Sequence, residues 1–320
     1  MVIGPTRHAG GWRAWSTAHP TLLALGGLLV LTAVMTIVSD RFLSWENLGN
    51  IGRQVSINAV IACGMTVVII TGGIDLSVGA VMSASMTLTA GAMLAGLTVP
   101  VAVALGLLSG LLLGAFNGAL VAYARLPAII VTLASMEMAR GAVLLYTGGY
   151  PLSGLPPVFG VLGQGHFAGI ALPTLIMLAV VGAGTLLLRG AVLGRYFYAI
   201  GGNEEAARFS GVPVQRARLL AYTLSGATAA LAGIILSSRL MSGQPNAGIG
   251  YELDAIAAVV LGGASIMGGR GMMVGTLIGA VTLGILNNGL NLMGVSPYVQ
   301  KIFKGVVILI AIYGTVPRQR

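Results

Sequence analysis

The chain has 320 residues, 56% of them hydrophobic and 8% charged, with a mean hydropathy of +0.94 and a formal net charge of +9. A soluble domain carries about a quarter charged residues, so this composition cannot cover a water-facing surface and fits a polytopic protein embedded in lipid. The basic excess consists of scattered arginines with no interleaved aromatics, so no nucleic-acid partner is expected and cytoplasmic loops account for it.

In chain order, apolar periodicity predicts about ten segments, at 21–38, 53–71, 76–97, 100–122, 127–147, 170–188, 218–238, 254–267, 272–291 and 298–316. The predicted fold is therefore all-α, one membrane helical bundle over 1–320, with 1–20 as a cytoplasmic tail. The first run is too long for a signal-peptide core and reads as an uncleaved helix. The eighth, about 14 residues, reaches only some 21 Å, so it is expected to be short, broken or partly re-entrant. With both termini in the cytoplasm, that side receives Arg7, Arg13, Arg125, Arg189, Arg195, Arg208, Arg216, Arg218, Arg270, Arg318 and Arg320. The opposite side receives Arg41, Arg53, Arg239, Lys301 and Lys304, and the asymmetry satisfies the positive-inside rule. The single cysteine, Cys63, lies in an apolar run and forms no internal disulfide.

The second and third segments are joined through Thr71-Gly72-Gly73-Ile74-Asp75-Leu76-Ser77. Asp75 has two readings: the N-cap of the helix beginning at Leu76, in a tight reversal near the cytoplasmic surface, or part of a permeation path or gate. Gly106, Gly110, Gly114 and Gly118 recur every four residues on one helix face, and Gly271, Gly275 and Gly279 repeat the pattern. Such stripes let another backbone approach closely, within the chain or from a second copy. Glu137 and Arg140 lie one turn apart in the fifth segment and can neutralise each other as a structural clasp, or contact solute at a gate. Asn58, Asn117, Asn287, Asn288 and Asn291 are amides within spans. Their donors and acceptors suit either a polyhydroxylated neutral solute or hydrogen bonding between helices.

The longest polar stretch, residues 201–218, has the grammar of a short, firmly stopped helix. Asn203 can cap it, Glu204 and Glu205 place negative charge at its positive end, and Arg208 follows Glu204 by four. Gly211 can take the left-handed closing position, and Pro213 prevents continuation. Two turns are too short to be stable alone and too polar for lipid, which suits a handle gripped by something cytoplasmic as well as it suits an ordinary capped loop.

Here the chain resembles a known family. Glu205-Ala206-Ala207 followed by Gly211 is similar to the coupling loop of ABC importer permeases, although the later isoleucine–leucine–proline part of that loop is missing. The blocks 72–80, 199–212 and 251–271 resemble the ribose/xylose/galactose-type branch of monosaccharide permeases, and the likeness runs from about Phe42 to Tyr313. It implies a permease of the bacterial inner membrane, with a ribose-like pentose as leading cargo. Implied partners are a cytoplasmic ATP-binding subunit, an extracytoplasmic sugar-binding protein and a second permease chain, identical or related. Residues 199–217 would form the cytoplasmic coupling loop, with Asn203, Glu204, Glu205, Ala206, Ala207, Arg208 and Gly211 as the docking residues.

No G-x-x-x-x-G-K-[ST] occurs, and neither lysine follows a glycine, so ATP and Mg are expected on the partner ATPase and no cofactor on this chain. Catalytic and metal sites are not expected: His8, His19 and His166 are far apart, and neither H-E-x-x-H nor G-x-S-x-G is present. The rival reading is an ion-coupled secondary transporter, which would ordinarily keep several acidic groups inside the bundle. A passive channel is a third class, and it would not depend on residues 203–211.

Overall fold

The computed structural model describes residues 20–315. The expected cytoplasmic tail and the charges at Arg7, Arg13, Arg318 and Arg320 lie outside these residues. The long helices are α1 (Pro20–Val38), α2 (Trp45–Ile70), α3 (Val78–Leu94), α4 (Val99–Ala122) and α5 (Ala128–Thr147). After a short α6 (Val161–Gln164) come α7 (Leu172–Gly190), α8 (Val192–Gly202), α9 (Glu204–Phe209) and α10 (Val214–Leu240). The chain then forms α11 (Tyr251–Leu261), α12 (Met273–Leu292) and α13 (Pro297–Thr315). Among the described residues, a 3-10 turn at Pro157–Gly160 and two pairs of two-residue strands interrupt this pattern: Leu152–Ser153 with Ser242–Gly243, and His166–Phe167 with Ile170–Ala171. The architecture is an all-α membrane bundle, with seven described helices long and apolar enough to cross a bilayer.

Local chemistry explains the boundaries. Ser44 accepts a hydrogen bond from Asn47 N at 3.3 Å to open α2, and Glu46 sits in its positive first turn. Gly148, at φ +62°, closes α5 in the left-handed region. Each expected segment contains a helix, but two are shorter than expected. α3 has 17 residues, and α11 has 11, about 16 Å of helix, beginning and ending earlier than 254–267. α8 was not expected at all. Its arginine and tyrosines break the apolar signal, yet its backbone is helical and Phe197 and Ile200 are buried.

α2 and α10 form the centre. In α2, 89% of the best apolar window is buried, against 6% in α1, although α1 is the more hydropathic of the two. Without water to drive helices together, apolarity marks the span but not its position in the bundle. Close pairings then give directions. Gly106 faces Ile234, Gly110 faces Gly226 and Ala230, Gly114 faces Tyr222, and Gly118 faces Leu219, so α4 runs antiparallel to α10. Val55 meets Gly284, and Thr66 bonds Thr276 at 2.7 Å, so α2 runs antiparallel to α12. Gly275 meets Gly262 and Gly279 meets Ala258, so α11 also opposes α12. The trio α2–α3–α4 and the trio α10–α11–α12 are thus each a long helix, a break, a short helix and a returning helix, laid in opposite directions.

Both glycine stripes serve packing within the chain. A Cβ on Gly110 would sit 2.5 Å from the Gly226 carbonyl oxygen, and one on Gly118 would sit 2.8 Å from that of Leu219. The second stripe needs a correction. Gly271 precedes α12, in the connection after α11, where it faces Ala264 and Ile70; only Gly275 and Gly279 belong to the helix.

Candidate functional site

The seven residues between α2 and α3 do not make a surface turn. Gly72, at φ +81°, reverses the chain, and Gly73 N bonds back to Val68 O at 3.1 Å. The segment then climbs into the bundle. Asp75 is 1% exposed and accepts from Ser77 N at 3.0 Å, Ser77 Oγ at 2.5 Å and Ser225 Oγ at 2.8 Å. Ser225 lies eleven residues into α10, about 16 Å along its axis from Val214, so the carboxylate is enclosed by helices rather than left on a surface turn. The bond to Ser77 N is a local cap, but α3 begins at Val78 rather than Leu76. The bond to Ser225 ties the break to α10. Asn117 Nδ2 donates to Ser77 Oγ at 2.9 Å, bringing α4 into the same cluster. Ser77, Ser225 and nearby Tyr222 were not singled out from sequence; serines and tyrosines in apolar runs carry no spacing signal.

A second break mirrors this one. Between α10 and α11 the chain brings Gly248 against Gly79, and Gly248 N donates to Ser83 Oγ at 3.0 Å. Neither glycine could carry a Cβ without striking the other's backbone. The starts of α3 and α11 therefore meet inside the bundle, the arrangement found where discontinuous helices of inverted repeats converge.

The amides separate into two groups. Asn288 and Asn47 exchange hydrogen bonds at 2.9 and 2.7 Å, and Asn291 Oδ1 accepts from Gln300 at 2.7 Å. These join α12 to α2 and α13. The side-chain oxygens of Asn58, Asn117 and Asn287 are buried without a protein partner. The sequence treated all five alike, and Asn47 was not distinguished.

Glu137 and Arg140 are less of a mutual clasp than their spacing suggests. Their closest approach is 3.9 Å, whereas Arg140 Nη2 lies 3.3 Å from Glu252 Oε1 on α11. The guanidinium turns towards the partner that also accepts from Gly250 N at 3.2 Å, a distant residue invisible to helix spacing. A second pair, Asp254 with Lys304 at 2.8 Å, ties α11 to α13.

The polar stretch forms the expected helix. Asn203 Oδ1 accepts from Ala206 N at 2.9 Å, and Gly211 adopts φ +81°. Glu204 bonds Arg208 at 2.7 Å and also Arg218 at 2.6 Å, a tether to α10 that local spacing did not reveal. Ala207 is buried, whereas Glu205, Ala206 and Gly211 are exposed and Phe209 is 91% exposed. At the root of this helix, Gly201 packs on the carbonyl of Ile70, the last residue of α2. Gly269 N donates to that same carbonyl at 2.9 Å.

An apolar bundle of opposed, interrupted helices with a capped polar helix outside it defines a multi-pass inner-membrane permease. Residues 47–312 match the family described as "Branched-chain amino acid transport system / permease component", and the chain belongs to that family. It is 50% identical over 288 residues to the ribose import permease protein RbsC of Bacillus subtilis (strain 168), covering 89% of each chain. It is 38% identical over 290 residues to the L-arabinose transport system permease protein AraH of Escherichia coli (strain K12), covering 89% of this chain and 88% of that one. It is also 38% identical over 299 residues to the probable ABC transporter permease protein y4mJ of Sinorhizobium fredii (strain NBRC 101917 / NGR234), covering 92% and 89%. No solved structure matches.

Proposed function

We propose that this chain is the permease subunit of an ATP-binding-cassette importer for a monosaccharide, with a ribose-like pentose as cargo. The cargo rests on relatives named for ribose and arabinose, not on any cargo-sized cavity in the single chain. Ten segments traverse the membrane, with both termini in the cytoplasm; α3, about 25 Å, and α11, about 16 Å, fall short of a full span and are completed by their non-helical breaks, and the arginine distribution supports that orientation. Energy comes from a separate ATP-binding subunit that holds the ATP and Mg, solute arrives on an extracytoplasmic sugar-binding protein, and a second permease chain completes the path. The chain forms a single permease domain.

The observation that carries the reading is α9. It is a capped, polar helix of six residues that presents Phe209 to solvent while Ala207 and the Glu204–Arg218 pair fasten it to the bundle. Exposing a large aromatic on a rigid mount suits insertion into a groove on a partner. Its root touches the end of α2, just before the break that carries Asp75. A push on α9 therefore has a packed route to the interior. Asp75 and Asn117, linked through Ser77, are assigned to the moving region around the first break, Asn58 and Asn287 with their unpaired oxygens to the path along α2 and α12, and Asn288 and Asn291 to holding the neighbouring helices together.

The test is uptake and ATP hydrolysis in vesicles containing the whole importer. Loss of a central docking contact costs about 2 kcal/mol, so Phe209→Ala is expected to weaken ATPase docking roughly thirtyfold. Glu205→Ala and a bulky residue at Gly211 should leave membrane insertion intact while separating hydrolysis from uptake. Normal uptake in all three variants refutes the docking role. The ion-coupled alternative gains nothing from these acids: buried Asp75 is held by three hydrogen bonds, and half-buried Asp254 and Glu252 are paired with Lys304 and Arg140.

A further inference from the structure

Glu137 stands at the centre of α5, nine residues from Ala128 and ten from Thr147, so about 14–15 Å of helix lies on either side of it. Its side chain is 72% exposed on the single chain. In the long apolar helices, every other exposed charge among the described residues lies near a helix end, where water or headgroups are within reach. A carboxylate held at the bilayer centre against hydrocarbon is among the most expensive placements available to a side chain, and such groups face cavities or partners instead. Glutamate is also too short to carry its charge to either surface from there.

The surroundings point the same way. Arg140, one turn on, is shared between Glu137 at 3.9 Å and Glu252 at 3.3 Å, so the three groups carry one net negative charge if all are ionised. Glu252 opens α11, directly after the break whose residues Asn246 and Ile249 are exposed, and Leu253 follows it, also exposed. The Arg140–Glu252 pair thus joins the Glu137 side of α5 to the interrupted entry to α11 on one face, where these charged groups stand among exposed Leu133, Met138, Ile249 and Leu253. Irregular backbone at membrane depth is tolerated where protein or water covers it, not lipid. The opposite stripe of α5, Val131, Thr132, Ser135, Ala139 and Val143, is buried, which fixes the rotation of the helix.

We infer that the face bearing Glu137, the Arg140–Glu252 pair and residues 246–253 is the wall of a water-filled passage. Glu137 and Glu252 offer acceptors and Arg140 donors to a neutral, polyhydroxylated solute moving past. The identity of that solute rests on the proposed function; the presence of water on this face does not. The arginine sits between two carboxylates of unequal distance, so it can favour one or the other as the breaks shift.

Cysteine accessibility tests this directly. In a Cys63→Ala background, Glu137→Cys is placed in the full chain in membrane vesicles and treated with a charged, membrane-impermeant methanethiosulfonate added to both sides. Phe209→Cys gives the rate of a fully solvated thiol, and Val30→Cys, midway along α1 and 66% exposed, gives that of a lipid-facing one. Glu137→Cys is expected to react within about tenfold of Phe209→Cys and at least a hundredfold faster than Val30→Cys, since only the ionised thiolate attacks. Reaction as slow as Val30→Cys overturns the inference, whether hydrocarbon or a dry contact with another copy covers the face. The readout needs neither ATP nor sugar, so failure of the proposed importer function would leave this result standing and separately visible.

Discussion

Adding one methyl group at Gly110 tests the central packing of the bundle. In Gly110→Ala the new Cβ would lie 2.5 Å from the Gly226 carbonyl oxygen and against the Ala230 methyl. Non-bonded carbon contacts settle near 3.5–4.0 Å, so α4 and α10 would have to part by about 1 Å along that line. The strain does not stay local. A Cβ on Gly114 would lie 3.1 Å from Gly226 Cα and Thr223 Cα, and one on Gly118 would lie 2.9 Å from Leu219 Cα. Separating one point on a continuous seam loosens its neighbours. Overpacking of this kind costs about 1–3 kcal/mol. At roughly 2 °C per kcal/mol for a chain of this size, that predicts a melting point about 2–6 °C lower in detergent. The matched controls are Gly26→Ala and Gly182→Ala, where a Cβ meets nothing within 4 Å. They should melt up to about 2 °C above the parent, because alanine is favoured over glycine in a helix interior by about 1 kcal/mol and no clash opposes it. Scanning fluorimetry on the three purified variants decides it. If Gly110→Ala melts with the controls, the seam is not a close contact and α4 does not pair with α10 along it.

Other perturbations have equally definite outcomes. Asp75→Ala removes the acceptor for three donors and should cost about 1–3 kcal/mol for each group left unsatisfied, whereas Asp75→Asn keeps an acceptor and should cost less. Equal melting of the two variants would show that those bonds do not hold the break. Asn47→Leu should destabilise by leaving Asn288 unpaired, and the double replacement with Asn288→Leu should recover part of the loss. A coupling energy of about 0.5–2 kcal/mol is expected, and strict additivity would contradict the amide pair. Glu204→Gln weakens both arginine contacts of α9; proteolysis of the 203–212 region should quicken in membranes while insertion is unchanged, and unaltered cleavage would count against the tether.

The short helix α9 shows what local grammar can deliver. Asn203, Glu204, Arg208, Gly211 and Pro213 act within a few residues of one another, so their spacing already contains the cap, the i,i+4 pair and the left-handed stop. The pair at Glu137 and Arg140 shows the limit. Spacing put them on one helical side, but the closer carboxylate belongs to Glu252, 112 residues away in sequence. Asp75 shows the same limit: Gly-Gly announces a reversal and the local bond to Ser77, while its burial depends on Ser225 of α10.

By itself, then, the sequence determined the helical membrane class, the places where apolar runs stop, the glycine seams and the polar handle, because each is written in composition or in periods shorter than two turns. Only the tertiary structure decided which helices are central, that Asn288 pairs with Asn47 and Asn291 with Gln300, and that two broken segments meet inside with Glu137 on an open face. The physical reason is the solvent. In lipid every span is apolar on all sides, so hydropathy no longer separates inside from outside, and position is set by close approach and by hydrogen bonds between residues far apart in the chain.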